Sequence, residues 1–318
     1  MADDARQVRN AGLEKQLAAG TVTAYELWQT PTGRAGVLDS PTSVSSGNYF
    51  EQRTDGQWNI VKTAGFSALK GNRAYWDHSA NAIYYKKTND RDFYAGRFGE
   101  DASSAATTCV IDLNADPPYD LDIARDPHDT VIVGTQGLNT MGVFRRGGAH
   151  KMILSTTNEA QKMDLLSKDG FALGANAIIE FAIDVVTDGA GTEPDFNIGV
   201  ANATHATDAD SITDSIFFHL NGNDLNIYCE SDDGTVEVAA TDSTIDYAEG
   251  TRFEGWIDMR APGSVLLYLN GSQVLSGSTF DVSASVATWL LIAHLEKTAA
   301  ASVYEIDVEW LRAHYAEQ

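Results

Sequence analysis

The chain has 318 residues, 43% of them hydrophobic and 21% charged, a balance that excludes intrinsic disorder as the default and, at this length, predicts about two domains. Its 45 acidic residues against 22 basic give a formal charge of −23, a field that repels phosphate backbones and argues against nucleic-acid binding. No run approaches the roughly 18 apolar residues of a membrane span, and two cysteines, Cys109 and Cys229, indicate neither a disulfide framework nor a zinc site.

Residues 2–19 are helix-compatible: Asp3 or Asp4 suits a cap and Gly20 a stop. Val8, Leu13 and Leu17 make only a thin apolar stripe, so a short helical arm within residues 1–25, leaning on a neighbour, is expected. The N-terminus lacks a secretory apolar core, and synthesis in a cytoplasm is expected. From Thr21 the pattern turns to β, with strands expected at 22–27, 49–52 and 58–62. Strands at 73–76 and 82–86 flank the turn-rich Asp77-His78-Ser79-Ala80-Asn81, and two more follow at 95–98 and 109–114. The sequence NADPP at 114–118 breaks either periodicity and predicts a domain boundary there.

Beyond the break, a strand is expected at 151–155 and a short helix or turn at 158–166. About ten further strands follow, at 177–186, 196–201, 216–220, 225–230, 236–240, 252–259, 264–269, 273–276, 289–296 and 302–310. Asn270-Gly271 is the sharpest hairpin signal in the chain. This procession without a long helix predicts a two-sheet sandwich or jelly roll. Both cysteines alternate with apolar neighbours and read as small buried residues.

Gly71, Ala74, Tyr75, Trp76 and Asp77, then Ala95-Gly96-Arg97-Phe98, a small-residue spacer and residues 109–114 occur in a recognisable order. In that order the segment resembles a family of short β domains from tailed bacteriophages, the capsid decoration or head-fibre proteins. The resemblance covers about residues 28–114. It implies a virion protein on the outer capsid surface, a major capsid protein as partner and a homotrimer, with Gly71, Tyr75, Trp76, Asp77 and Gly96 as the fold and docking motif.

The C-terminal region resembles the concanavalin A-like or laminin-G-like jelly roll. The matching pieces are Phe217-Phe218-His219-Leu220, Leu225-Asn226-Ile227-Tyr228, the element Tyr268-Leu269-Asn270-Gly271-Ser272-Gln273-Val274 and the final strand 303–311. The expected organisation is thus all-β: an arm (1–25), a small β domain (26–118) and a jelly roll (119–318). Capsid decoration is the leading functional expectation. A module for host or environmental glycans is the alternative, followed by a glycosidase.

The glycosidase rests on Glu305-Ile306-Asp307-Val308-Glu309, which looks like the Glu-x-Asp-x-Glu strand of laminarinase-type retaining enzymes. Alternation puts the three acids on one face, but the outer two stand on the order of 13 Å apart on a flat strand, against about 5–5.5 Å for retaining hydrolysis. Ile306, Val308 and Trp310 read as the inward half of an ordinary closing strand, and no enzyme is expected. Rim calcium has oxygen donors available in Asp184, Asp188 and Asp195, in Asp208, Asp210 and Asp214, or in Asp232 and Asp233, none in a defined loop. A structural calcium is the one cofactor entertained. The seven histidines show no ligand spacing and read as surface or turn residues. Arg145-Arg146 reads as a loop ion-pair site. Trp58, Tyr84, Tyr85, Trp256 and Trp289 are possible sugar platforms, with core packing the competing account.

Overall fold

A computed structural model describes residues 13–23, 26–116, 119–126, 128–134, 149–189, 195–206, 208–222 and 224–315. The chain divides into two compact units, Met1–Pro118 and Tyr119–Gln318. Residues 1–12, Pro117-Pro118 and Arg145-Arg146 lie outside the described residues.

In the first unit β1 (Leu13–Leu17), β2 (Leu27–Gln29), β3 (Ala35–Leu38) and β4 (Tyr49–Arg53) form a sheet in the order β1-β4-β3-β2. The helix expected over 2–19 is not formed where the chain is described, because Leu13–Leu17 pairs antiparallel with β4. Three apolar residues give a helix too little to bury, whereas a sheet edge satisfies the backbone whatever the side chains. β5 (Gln57–Val61), β6 (Arg73–Asp77), β7 (Ala82–Tyr84), β8 (Phe93–Phe98) and β9 (Thr108–Leu113) form a second sheet in the order β5-β9-β8-β6-β7.

Asp77 closes the β6–β7 turn by accepting from the amides of Ser79 (2.8 Å) and Ala80 (3.0 Å), and Asn81 completes it at φ 49°. Those bonds outweigh burial and hold its carboxyl below the usual range. Gly96 sits at φ 145°, where a Cβ would lie 2.1 Å from the Asp112 carbonyl oxygen, so β8 and β9 can approach only at a glycine. Asn114 ties the two sheets together, donating to the carbonyls of Ala35 (2.8 Å) and Thr54 (2.7 Å).

The second unit is a jelly-roll sandwich of two seven-stranded sheets. Sheet I contains β10 (Leu121–Asp122), β12 (His150–Leu154), β14 (Ala177–Thr187), β19 (Arg252–Asp258), β20 (Leu266–Leu269), β21 (Ser272–Val274) and β23 (Tyr304–Tyr315). Its order is β10-β23-β14-β19-β20-β21, with β12 also on β23. Sheet II runs β11 (His128–Val133), β13 (Gln161–Ala172), β22 (Thr288–Lys297), β15 (Asp195–Ala201), β16 (Ser215–Asn221), β17 (Asn226–Asp232) and β18 (Glu237–Asp246).

Alternate residues of both sheets fill one core: Ile179, Phe181, Ile183 and Val185 from sheet I meet Ile198, Phe218, Cys229 and Leu291 from sheet II. Phe181 and Phe218 pack edge to face across it, 5.2 Å apart. Asn270 and Gly271, at φ 49° and 81°, form the tight turn between β20 and β21. The helix or turn expected at 158–166 is replaced from Gln161 onward by β13, whose pairing with both β11 and β22 overrides local preference. The inward set expected of β23 also breaks. A bulge between the Val308 and Trp310 pairings turns Trp310 outward and hands the core to Leu311 and Ala313.

Cys109 and Cys229 are both free and buried, the Cys109 thiol pushed up to about 12 by burial. Among the described residues no helix is long and apolar enough to cross a membrane.

Candidate functional site

The core takes every second residue of sheet II, and the residues between them face outward. Register carries one outward row across five strands: Asp164 on β13, His294 on β22, Asn197 on β15, His219 on β16 and Tyr228 on β17. A neighbouring row holds Lys162, Glu296 and Asp195. Asp164, His294 and Asn197 are completely buried. Outward polar groups on a sheet normally meet water, so groups this buried need partners.

Part of the cover is the loop between β15 and β16. Its Ala209 and Ile212 pack on Ala201, Phe217 and Ile292 in a small apolar cluster. Asp208 caps the short turn between them by accepting from the Asp210 amide at 2.9 Å. Anchored in this way, the loop sets Asp210 over His219.

His219 is the hub, its side chain 4% exposed. Nε2 lies 3.2 Å from Asp195 Oδ1, while Nδ1 lies 3.5 Å from Asp210 Oδ1 and 3.4 Å from Glu230 Oε2. Asn197 Nδ2 donates to Asp210 Oδ1 (2.9 Å) and Glu230 Oε1 (2.8 Å). Burial pulls the imidazole pKa down, but the hydrogen bond to Asp195 and the carboxylates of Glu230 and Asp210 raise it to about 10. Burial and the charge of Glu230 push Asp210 up to about 7, against the pull of His219 and Asn197. Asp195 and Asp210 remain 36% and 42% exposed, so the hub opens to solvent through two acceptors held from beneath.

His294 anchors the other end. Its Nδ1 meets Asp164 Oδ1 at 2.5 Å and its Nε2 meets Glu296 Oε2 at 2.8 Å. Burial lowers its pKa, but hydrogen bonds to both carboxylates and their charges raise it to about 9. Lys162 joins Asp164 at 2.9 Å, both side chains buried, and the Thr204 hydroxyl donates to Asp164.

The expectation that the histidines are surface or turn residues fails for His150, His219, His294 and His314, which lie buried on strands, and His219 and His294 lie there among carboxylates. Of the acids considered for calcium, Asp210 and Asp195 are brought together, but across different proposed groups and around a histidine. Asp208 is a turn cap, and Asp214, at φ 69°, accepts from Asn202 Nδ2 at 2.8 Å. Asp184 faces outward on sheet I beside Arg252 and Asp307. Asp188 lies just past the end of β14. Asp233 closes a turn through the amides of Thr235 and Val236.

Glu305 and Glu309 are committed to ion pairs, with Lys151 and with Arg252 (2.6 Å). Arg252 and Arg312 stack on Trp310 between them, 4.7 and 4.6 Å from the ring centre. This face of β23 is a structural charge network rather than a nucleophile and acid. Trp289 and Tyr85 are core residues, and Trp256 is buried on the outward face of sheet I against Tyr268, 5.9 Å between ring centres, so none of the three is a sugar platform.

In the first unit a cavity of about 390 Å³ has Leu27, Trp76 and Phe93 among its buried lining and Gln29, Asn81 and Arg91 on its exposed rim. No protein-family description matches the sequence, and no curated protein does. Among solved structures, the Emp47p carbohydrate recognition domain is similar with a TM-score of 0.44 at 11% identity, over 61% of this chain and 91% of that one. A GH16 protein of the Bacteroides ovatus mixed-linkage glucan locus gives 0.38 at 8%, over 54% and 84%. The alginate lyase AlgAT5 of polysaccharide lyase family 7 gives 0.38 at 14%, over 57% and 85%.

Proposed function

We propose that the second unit binds neutral glycans on the outward face of sheet II. The observation that carries this reading is the pair Asp195 and Asp210, half-exposed acceptors fixed from below by the buried side chains of His219 and Asn197. Side-chain oxygens fixed in this way bind vicinal hydroxyls without an ordering cost at the moment of contact, and Asp210, raised to about 7, offers its full charge only above that pH. The Tyr228 ring, held by its hydroxyl on Asp224 Oδ2 at 2.9 Å, stands beside His219 with ring centres 6.5 Å apart and offers an apolar surface to sugar C–H groups. Buried charge of this density is a poor stability device, since well-packed apolar residues would hold the sheet as well. The acidity of the site disfavours uronates and sulfated sugars. A glycan array is expected to give neutral hits and blank acidic spots; an array blank throughout, with and without divalent ions, removes the reading.

A second reading concerns the first unit, as the docking module of a phage capsid decoration protein, trimeric on the outer surface of a virion. It rests on the resemblance of the 71–114 segment and on the cavity floored by Trp76 and Phe93, a recess sized for an apolar anchor from a capsid protein. Co-sedimentation with purified capsids is the expected result. A chain that stays in the supernatant at every salt concentration tried would exclude it.

A further inference from the structure

We infer that Asp210, His219 and Glu230 form a site for a divalent first-row transition ion, with zinc the best fit. Among the described residues this is the one group of three such side chains whose donor atoms all lie within 4.8 Å of one another. The deciding feature is His219 Nδ1, a buried nitrogen that stands between two carboxylates without a well-aligned hydrogen bond to either. Its distances to them, 3.5 and 3.4 Å, are long for hydrogen bonds. They match the separation of two ligands on one tetrahedral ion, about 3.4 Å when each bond is about 2.1 Å.

The surrounding groups are those that a metal site needs. Asp195 lies within hydrogen-bond reach of Nε2, the carboxylate–histidine–metal arrangement, and an ion bound at Nδ1 would displace the proton that the surrounding carboxylates otherwise hold on the imidazole. Asn197 donates to one oxygen of each carboxylate ligand and so fixes their rotamers. An imidazole with two carboxylates suits zinc or manganese, whereas calcium and magnesium favour oxygen throughout. The site therefore differs from the rim calcium entertained for Asp208, Asp210 and Asp214. Three protein ligands leave a position open on the side where Asp210 reaches solvent.

The test is a titration of the full chain, stripped with chelator and desalted, with zinc chloride in a calorimeter, alongside thermal unfolding. One equivalent per chain is expected, with a rise in Tm that EDTA reverses. Asp210→Asn, on a half-exposed loop position, is expected to weaken zinc binding at least about tenfold, and His219→Asn to do the same. No heat and no Tm shift at millimolar zinc overturns the inference. So does wild-type zinc affinity in both variants, or uptake of calcium in preference to zinc. The readout uses no glycan, so its failure is distinct from failure of the glycan reading.

Discussion

Replacing His294 by leucine is expected to destabilise the chain by about 3 kcal/mol. Removing one partner of a buried ion pair leaves the other charge without compensation, which costs roughly 3–5 kcal/mol. Here two carboxylates lose their shared imidazole, Asp164 and Glu296. Lys162 still neutralises Asp164, so the lower end of the range applies. The substitution also changes the pH dependence. In the wild type the folded pKa of about 9 exceeds the unfolded value of about 6.5. The histidine's contribution is therefore complete below about pH 6.5 and is lost as pH rises through about 9. Asp164 is shifted downward, its hydrogen bonds with His294, Thr204 and Lys162 outweighing burial. Its contribution is present above the ordinary carboxylate range and is lost as pH falls below it. Urea unfolding at pH 6 and pH 9.5 reads the histidine effect: the wild type weakens with rising pH, and His294→Leu loses the His294 share of that slope while His219, raised to about 10, retains its own. Equal stability of the two proteins at pH 6 would contradict the ion-pair account.

Gly255→Val is expected to cost about 3 kcal/mol or more, for a reason of pure volume. A Cβ at Gly255 would stand 2.1 Å from Cζ of Phe181 and 2.4 Å from Cε1. That ring is completely buried and held by Phe218 at 5.2 Å and Phe253 at 6.2 Å, so it has nowhere to withdraw. Shrinking the ring should relieve the clash. The double variant Gly255→Val, Phe181→Leu is expected to be more stable than the sum of the single losses implies, by at least about 1 kcal/mol. Additive losses in thermal unfolding would place the cost elsewhere than this contact.

The inward half of each strand is legible in the sequence because burial imposes a period of two. Residues 177–186, 196–201 and 216–220 alternate or run apolar and form β14, β15 and β16. Asn270-Gly271 is equally legible, since few other pairs accept two positive φ angles. Both helical expectations fail where pairing with distant strands decides: Leu13–Leu17 against β4, and Gln161–Ala172 between β11 and β22. The candidate site is illegible for the same reason. Each member stands plainly between apolar neighbours, as in Phe218-His219-Leu220 and Met163-Asp164-Leu165. Alternation says that such residues face away from the core, but not which of them meet. Register alone joins Asp164 to His294 and Asn197 to His219. Asp210 was visible as an acid in a loop, yet its partner is a strand histidine rather than its neighbours Asp208 and Asp214. Glu305-Ile306-Asp307-Val308-Glu309 shows the converse, a chemical pattern in sequence whose glutamates are held by Lys151 and Arg252.

Whether sheet II presents fixed acceptors to a neutral sugar, as proposed, is decided by calorimetric titration of an array-positive glycan into the wild type and into Asp195→Asn. The proposed site predicts saturable binding at one site per chain and at least about tenfold weaker binding in the variant, because a charged acceptor becomes a neutral amide. Undiminished affinity in Asp195→Asn would show that the sugar binds elsewhere, and would contradict the assignment of this face.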